Sequence, residues 1–203
     1  MSSTEGVPES QFGEPRGVRG WLAAKVIGRL TGEANQWMVD CLDLRSDDRF
    51  LDVGCGPGLA VAMAASRAAD GFAAGVDASA TMVRQARRRN RAAVAAGRAK
   101  VERADAASLP FPDGHFDKAG SLNSMQFWAC PQQGLRELHR VLVPGGRAVV
   151  VLMARSDDPP APAHPAWISA VAETARSAGL GQVGLAHRDF GGVTHWALHV
   201  ERS

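Results

Sequence analysis

The chain has 203 residues, which fits one domain of ordinary size with room for a short extension. Hydrophobic residues make up 45% and charged residues 22%, so the chain can bury a core and does not have the composition of a disordered protein. The 23 Lys and Arg nearly cancel the 21 Asp and Glu, and the net charge of +2 argues against a dedicated nucleic-acid binder. Because the sequence has no tyrosine, mechanisms in which a tyrosine phenol of the protein acts as acid, base or nucleophile are excluded.

Signals for export, membrane insertion and crosslinking are missing from the sequence. The first ten residues lack a basic patch followed by an apolar run, and the strongest apolar run, residues 148–154, is too short to span a bilayer. Cys41, Cys55 and Cys130 are widely spaced and odd in number, which argues against a disulfide framework and a cysteine-based zinc site. We therefore expect a soluble cytoplasmic protein with no metal and no membrane partner.

The beginning of the chain differs from the remainder. Residues 1–17 are polar and rich in Gly and Pro, which predicts a flexible leader. Residues 18–44 carry two helical patterns, the first broken at Thr31-Gly32 and the second running through Trp37 to Leu42. These helices are candidates for a lid over a binding pocket. A second subunit could supply the lid instead. In the remaining alternative the leader is disordered and a helix of this region packs against the sheet.

From residue 45 onward, short apolar strands alternate with helices. Strands are predicted over residues 50–54, 72–77, 100–105, 116–122 and 147–153, and helices over residues 59–69, 79–96 and 133–142. The last of these helices stops at Pro144-Gly145-Gly146. Since this alternation is typical of parallel sheets with right-handed crossovers, the predicted fold class is α/β.

The last part of the chain predicts an antiparallel addition to that sheet. A proline-rich loop, residues 157–165, leads to a helix predicted over residues 166–177. Two further strands, over residues 182–188 and 194–200, lie on either side of Asp189-Phe190-Gly191-Gly192. A Gly-Gly connection between two strands favours a hairpin, which we expect at the edge of the sheet.

The loop after the first strand has glycine at every second position, in Asp52-Val53-Gly54-Cys55-Gly56-Pro57-Gly58. Glycines let the backbone turn sharply and let a ligand lie directly against it. Neither the dinucleotide pattern Gly-x-Gly-x-x-Gly nor the Gly-Lys-Ser/Thr of a nucleoside triphosphate loop is present. The loop therefore disfavours a pyrophosphate or a triphosphate as its ligand.

This loop resembles the first motif of the class I S-adenosylmethionine (SAM)-dependent methyltransferases, in particular their type 11 small-molecule group. Asp77 ends the second strand 25 residues after Asp52, where the family has an acid. Residues 103–117 resemble the adenine-binding segment, and residues 140–147 resemble the turn before the fifth strand. The resemblance covers about residues 45–203. It implies a Rossmann-like, mostly parallel sheet of seven strands with helices on both faces.

The resemblance also implies the cofactor SAM, the product S-adenosylhomocysteine, and a set of contacts. Asp77 would accept hydrogen bonds from the ribose hydroxyls, Asp105 would accept from the adenine amine, and the Ala106 N–H would donate to the adenine ring. The amino-acid part of SAM would lie on the glycine loop, near Asp52. The full set of cofactor residues expected is Asp52, Gly54, Gly56, Gly58, Asp77, Ala78, Asp105, Ala106 and Asn123.

Acceptor contacts are expected after the fourth strand, because ligands in such sheets bind beyond the carboxyl ends of the strands. The candidates are Asn123, Gln126, Phe127 and Trp128, of which the two aromatic residues could equally pack against the next helix. The segment lacks the Asn-Pro-Pro-Tyr/Phe sequence of enzymes that methylate amino groups of adenine or glutamine. His164, beside the proline-rich loop, is the candidate base.

The implied reaction is an in-line displacement at the sulfonium methyl, driven mainly by positioning because the leaving group is neutral. A base is needed only where the acceptor must lose a proton as it attacks. The predicted acceptor is a small molecule of open identity, and a homodimer is compatible with the sequence. The alternatives are a SAM-binding regulator without catalysis and, disfavoured by the loop, a nicotinamide-dependent oxidoreductase.

Overall fold

The computed structural model describes residues 31–154, 158, 159, 161, 163 and 165–203. The predicted leader, the first predicted helix and the candidate base His164 lie outside the described residues. Residues 31–41 form helix α1, so the break predicted at Thr31-Gly32 is wrong. A glycine in a helix costs about 1 kcal/mol. Here the burial of Trp37, Met38 and Val39 on the same helix outweighs that cost.

One mixed sheet organises the chain. Its strands are β1 (Arg49–Val53), β2 (Phe72–Asp77), β3 (Ala99–Arg103), β4 (Phe116–Leu122), β5 (Leu142–Met153), β6 (Leu180–Phe190) and β7 (Val193–Arg202). Their order in the sheet is β3-β2-β1-β4-β5-β7-β6. Within the described ranges six strands run in one direction, and β7 runs against them between β5 and β6. The predicted mostly parallel α/β sheet with a C-terminal hairpin is confirmed.

The hairpin turn consists of Gly191 and Gly192, whose φ values are 60° and 81°. Phe190 pairs with Val193, so the turn has only two residues, and positive φ at both of them matches the twist of the flanking strands. The pairing of β6 with β7 extends further from the turn than the apolar pattern of the sequence indicates. Both strands are therefore longer than predicted. Because β7 runs antiparallel, its first residues lie at the same edge as the carboxyl end of β5.

Helices cover both faces of the sheet. They are α2 (Leu59–Arg67), α3 (Ala80–Arg89), α4 (Arg91–Ala95), α5 (Pro131–Val141) and α6 (Ala166–Ser177). Apolar residues of α1, α2 and α3 form one buried cluster with the sheet, and those of α5 and α6 form another on the opposite face. No helix in the described part of the chain is long and apolar enough to cross a membrane.

Two predicted boundaries differ from the structure for identifiable reasons. The single helix expected over residues 79–96 is interrupted at Asn90, whose buried side chain donates to the carbonyls of Gly58 and Ala86. Asn side chains that bond backbone groups compete with regular helix geometry. Strand β5 begins at Leu142 rather than at residue 147, because Leu142 already pairs with Phe116 before the glycine turn shifts the register.

An ion pair on α5 fixes the segment that leads into β4. Arg140 donates to the carbonyls of Leu109 and Phe111 at 3.0 and 2.8 Å, and to both carboxylate oxygens of Glu137. Glu137 in turn accepts the Leu109 N–H at 2.7 Å. The guanidinium of Arg140 holds the pKa of Glu137 below its ordinary value. The pair thus ties residues 109–113 to α5 by bonds that neither residue could make alone.

Replacing Glu137 by Gln is expected to lower the free energy of unfolding by about 2 kcal/mol at pH 7, because Arg140 loses its bidentate carboxylate partner and keeps only the ion pair with the exposed Asp113. Since the folded-state pKa of Glu137 is lowered, its contribution is present above the unfolded pKa and is lost as the pH falls through the folded pKa. Urea denaturation at neutral and acidic pH should therefore show a difference that shrinks in acid.

The matched control is Glu201→Gln, which breaks the more exposed pair of Arg147 and Glu201. Its expected effect is below about 0.5 kcal/mol. Equal stability of the Glu137 variant and wild type at pH 7 would contradict this account of the segment.

Candidate functional site

The glycine loop after β1 is held by the end of β2. The N–H groups of Gly54 and Cys55 both donate to the carbonyl of Val76, at 2.8 and 2.9 Å. Gly54, Gly56 and Gly58 have φ values of 79°, 51° and 77°, in the left-handed region that favours glycine. The loop therefore turns sharply at three alternate residues and places its backbone at the carboxyl edge of the sheet.

The three glycines are needed for different reasons. A Cβ atom at Gly54 would lie 1.7 Å from the Ser124 hydroxyl oxygen, and one at Gly58 would lie 2.7 Å from the Ala86 Cβ. At these two residues the loop is packed against the rest of the protein. A Cβ at Gly56 would meet no atom within 4 Å. Gly56 is therefore the part of the loop that offers open backbone to a ligand.

Asp77 connects this loop to the next helix. Its Oδ2 accepts the Gly56 N–H at 2.9 Å, and its Oδ1 accepts the Ser79 N–H at 2.8 Å. Ser79 is the N-cap residue of α3 and accepts from the Met82 N–H. Two backbone bonds fix the orientation of the carboxylate, and each oxygen retains capacity for a further donor.

Asp52 is the buried carboxylate of the site, with 3% of its surface exposed. No hydrogen bond from the described residues reaches its side chain. Burial, and then the negative charge of Asp77, raise the pKa of Asp52 to about 7. An ionised carboxylate that is buried without a partner is unfavourable. A cationic ligand group nearby would therefore stabilise its charged form.

The residues after β3 extend the same edge. The Ala104 N–H donates to the carbonyl of Asp77 at 3.2 Å, which brings the ends of β2 and β3 together. Asp105 is exposed, and its Oδ1 accepts the Ala107 N–H at 2.8 Å. Ala106 is buried, and no acceptor within the described ranges takes its N–H. The carbonyl of Ala78 accepts from the Arg103 side chain.

Asn123 lies at the carboxyl end of β4 with a left-handed φ of 49°. Its N–H donates to the carbonyl of Val151, and its Oδ1 accepts the Met153 N–H, both at 2.8 Å. Its Nδ2 lies 3.3 Å from Nε2 of His195. The side chain is thus engaged with protein groups at both ends, which the sequence does not predict for a ligand contact.

The three other acceptor candidates lie in or beside a short 3-10 helix, Met125–Phe127. Gln126 donates to the carbonyl of Asn123 at 3.0 Å. Trp128 donates to the Ser124 hydroxyl at 3.0 Å and packs so closely on α5 that a Cβ at Gly134 would lie 2.5 Å from its ring. Phe127 is 78% exposed. Of the two aromatic residues, only Trp128 packs against the following helix.

His195 is a residue of this edge to which sequence reasoning gave no role. It is buried near the start of β7, its Nδ1 lies 3.1 Å from the carbonyl of Val193, and its ring contacts Phe190 at 5.3 Å. Burial lowers the pKa of His195 below its ordinary value. The Gly-Gly turn is the signal that could have found it, because a tight hairpin puts the start of β7 at the carboxyl edge.

Comparisons with known proteins all indicate the same family. The model of a methyltransferase domain matches residues 50–146. The uncharacterized methyltransferase YdaC of Bacillus subtilis (strain 168) is 30% identical over 137 residues, 68% of this chain and 74% of that protein. The 27-O-demethylrifamycin SV methyltransferase of Amycolatopsis mediterranei (strain S699) is 37% identical over 149 residues, 73% of this chain and 52% of that protein.

The fold agrees with these relatives. The crystal structure of a SAM-dependent methyltransferase from Aquifex aeolicus superimposes with a TM-score of 0.69 at 18% identity, covering 83% of this chain and 89% of that one. The chain belongs to the class I SAM-dependent methyltransferases, a family of enzymes whose cofactor is SAM. It spans 32% to 74% of the lengths of three curated relatives, and so corresponds to only part of some of them.

The pKa of Asp52 predicts how SAM affinity depends on pH. Because that pKa is about 7 in the free protein, a ligand that brings positive charge should favour the ionised carboxylate and release a proton on binding. Affinity should then rise with pH through the range around 7 and level off above it. Calorimetry at several pH values, in two buffers of different ionisation enthalpy, measures both effects.

Asp52→Asn should remove this contribution, and Asp105→Asn, at an exposed residue, should keep it. The amino group of free SAM titrates identically in all three experiments, so the difference between wild type and Asp52→Asn reports the ionisation of Asp52 together with its effect on the bound ligand. A wild-type protein with the same proton release as the Asp52 variant would refute the interpretation.

Proposed function

We propose that the chain transfers the methyl group of SAM to a small-molecule acceptor with a largely apolar surface. The observation that carries the proposal is the presence of three exposed apolar side chains at the carboxyl edge of the sheet, after β4, at the end of β5 and at the start of β7. The proposed site has a cofactor half, formed by the ends of β1, β2 and β3, and an acceptor half, formed by the ends of β4 and β5 and the start of β7.

The cofactor half fits SAM in three respects. The loop leaves open space at Gly56, the carboxylate of Asp77 keeps one acceptor site on each oxygen, and the Ala106 N–H is available as a donor. In the proposal Asp77 accepts from the ribose hydroxyls and Ala106 donates to the adenine ring. Asp52 then provides negative charge for the cationic end, and Gly54 and Gly58 keep the loop packed.

The acceptor half is identified by large apolar side chains that are exposed to solvent. The large apolar side chains exposed in the described residues are Val94, Phe127, Met153, Val183 and Val193. Three of the five belong to the carboxyl edge: Phe127 follows β4, Met153 ends β5 and Val193 begins β7. A group of exposed apolar side chains beside a binding loop marks a surface that a ligand covers. We infer that the acceptor presents an apolar face to these residues.

When bound, SAM would supply an electrophilic methyl group: its carbon would bond to the acceptor as the bond to sulfur breaks with the electron pair on sulfur, and a hydroxylated acceptor would lose its proton to water. The protein contributes mainly position. Both ring nitrogens of His195 face protein groups, and Asn123 is engaged at both ends of its carboxamide, so neither side chain is placed to take a proton from the acceptor. Orientation of the acceptor by Phe127 and Met153 is the contribution that these residues can make.

The relatives support a small molecule as the acceptor. The Amycolatopsis relative is named for its acceptor, 27-O-demethylrifamycin SV, which is a small molecule rather than a protein or nucleic acid. The near-neutral net charge of this chain points in the same direction.

The cofactor half is tested by titration. Wild-type protein should bind SAM and S-adenosylhomocysteine in a calorimeter, and Asp77→Ala should weaken both by about 30-fold or more, because two charge-assisted hydrogen bonds are lost. Asp70→Ala changes an exposed acid in the turn before β2 and serves as the control with unchanged affinity. Folded wild-type protein that binds neither ligand would refute the proposal, as would a change in NADH fluorescence that reports tight binding of the dinucleotide.

The acceptor half is tested by product formation. S-adenosylhomocysteine should accumulate with hydroxylated or phenolic apolar compounds and not with matched polar ones, as measured by mass spectrometry. Phe127→Ser should raise the KM for a responding acceptor about fivefold or more by removing apolar contact. Val94→Ser, at an exposed apolar residue on α4, is the matched control. Tight SAM binding without turnover of any compound would favour the regulatory alternative.

A further inference from the structure

The backbone at Asn123 is held in a conformation that a non-glycine residue adopts at a cost. Its φ of 49° is left-handed, and such residues persist only where surrounding contacts fix them. Three contacts do so here: its N–H bonds the carbonyl of Val151, its Oδ1 bonds the Met153 N–H, and its Nδ2 faces His195. Asn123 thus joins the end of β4 to β5 and β7.

The hydrogen-bond pattern determines the form of His195. The Met153 N–H can only donate, so Oδ1 of Asn123 is the acceptor and Nδ2 is the donor toward His195. Nε2 of His195 must therefore accept. The other ring nitrogen, Nδ1, faces the carbonyl of Val193 and must carry the proton. A neutral ring protonated on Nδ1 satisfies all of these bonds, whereas a protonated ring would place two donors against each other.

The surroundings of the ring favour this neutral form. Phe190 packs against it from β6, and Met153 is its partner on β5. Two charged residues of β6 are close in the pairing: Arg188 is directly opposite His195, with its guanidinium 5.7 Å from the Trp37 ring, and Asp189 is opposite Thr194. Burial outweighs both the hydrogen bond to the Val193 carbonyl and the attraction of Asp189, so the pKa of His195 is lowered.

The segment that His195 supports is the acceptor segment of the proposed function. Asn123 is followed by Ser124, whose hydroxyl fills the space at Gly54, and by the exposed Phe127. A shift of Asn123 would therefore move both the apolar surface and the residue packed beneath the glycine loop. We propose that His195 is a positioning residue that fixes the acceptor segment, residues 123–128, through the Asn123 carboxamide. This inference rests on the proposed function for its role, although the coupling itself can be measured without an acceptor.

Amide hydrogen exchange of residues 122–128 tests the coupling. His195→Phe keeps an aromatic ring beside Phe190 but cannot accept from Asn123, and exchange of the segment should become about five- to tenfold faster. His195→Gln offers an amide oxygen in place of Nε2 and should stay within about twofold of wild type. His199→Phe, at a half-buried histidine further along β7, is the matched control and should leave the segment unchanged.

The pH profile separates positioning from packing. In wild type the protection of the segment should fall as the pH drops below the ordinary titration range of histidine, because burial lowers the pKa of His195 and the protonated ring cannot accept from Asn123. After correction for intrinsic exchange, the Gln variant should show no such fall. A profile that is the same in both proteins would overturn the proposal.

A second variant keeps the test decisive if the Phe variant does not fold. Asn123→Gly removes the carboxamide and relieves the left-handed backbone, and it should also accelerate exchange of residues 124–128. His195→Leu, which offers no acceptor to the carboxamide, should accelerate exchange alone but give no further change when combined with Asn123→Gly, since the two residues act through one contact. Independent, additive effects would overturn the proposal.

Calorimetric SAM titration of wild type and His195→Gln separates the proposed function from the role of His195. His195→Gln should bind SAM within about twofold of wild type, because it keeps an acceptor for Asn123 and so leaves Ser124 in place beneath the glycine loop. Failure of wild type to bind SAM would refute the proposed function and leave the exchange result valid. Normal SAM binding with no change in exchange would refute the role of His195 alone.

Discussion

The end of β2 is the point on which the rest of the site depends. The carbonyl of Val76 receives two N–H groups of the glycine loop, and the carboxylate of Asp77 receives Gly56 on one side and Ser79 on the other. Because β1 and β2 are parallel neighbours, both loops leave the sheet at the same edge. The backbone that a cofactor would contact is thus shaped by the protein's own hydrogen bonds.

This arrangement carries an electrostatic cost. Asp52 is buried and Asp77 is close enough to repel it, so the free protein keeps a carboxyl group that is poorly solvated and partly protonated near neutral pH. Stabilisation of the fold comes from elsewhere, from the apolar clusters on both faces of the sheet and from the pair of Glu137 and Arg140 on α5. Unfavourable charge near the site and favourable packing away from it are typical of functional sites.

The sequence correctly predicts those helices and strands whose own apolar pattern determines their structure. The bounds of β2, β4 and α6 agree with the apolar runs and their flanking residues, since these segments are buried as their patterns indicate. The predictions fail where a contact with a residue distant in the sequence determines the local structure. Gly32 is helical because its neighbours are buried, and Asn90 interrupts a helix because it bonds Gly58. The same limit applies to His195, whose partner Asn123 is 72 residues away in the sequence.

The Ser124 hydroxyl lies where a side chain of Gly54 would begin, and the indole of Trp128 donates to that same hydroxyl. The Ser124 side chain therefore lies between the glycine loop and the proposed acceptor segment and contacts both of them. For an enzyme of the proposed function this favours an ordered kinetic scheme. The cofactor would enter first and fix the Ser124 side chain, and the acceptor would then meet a surface that is already set.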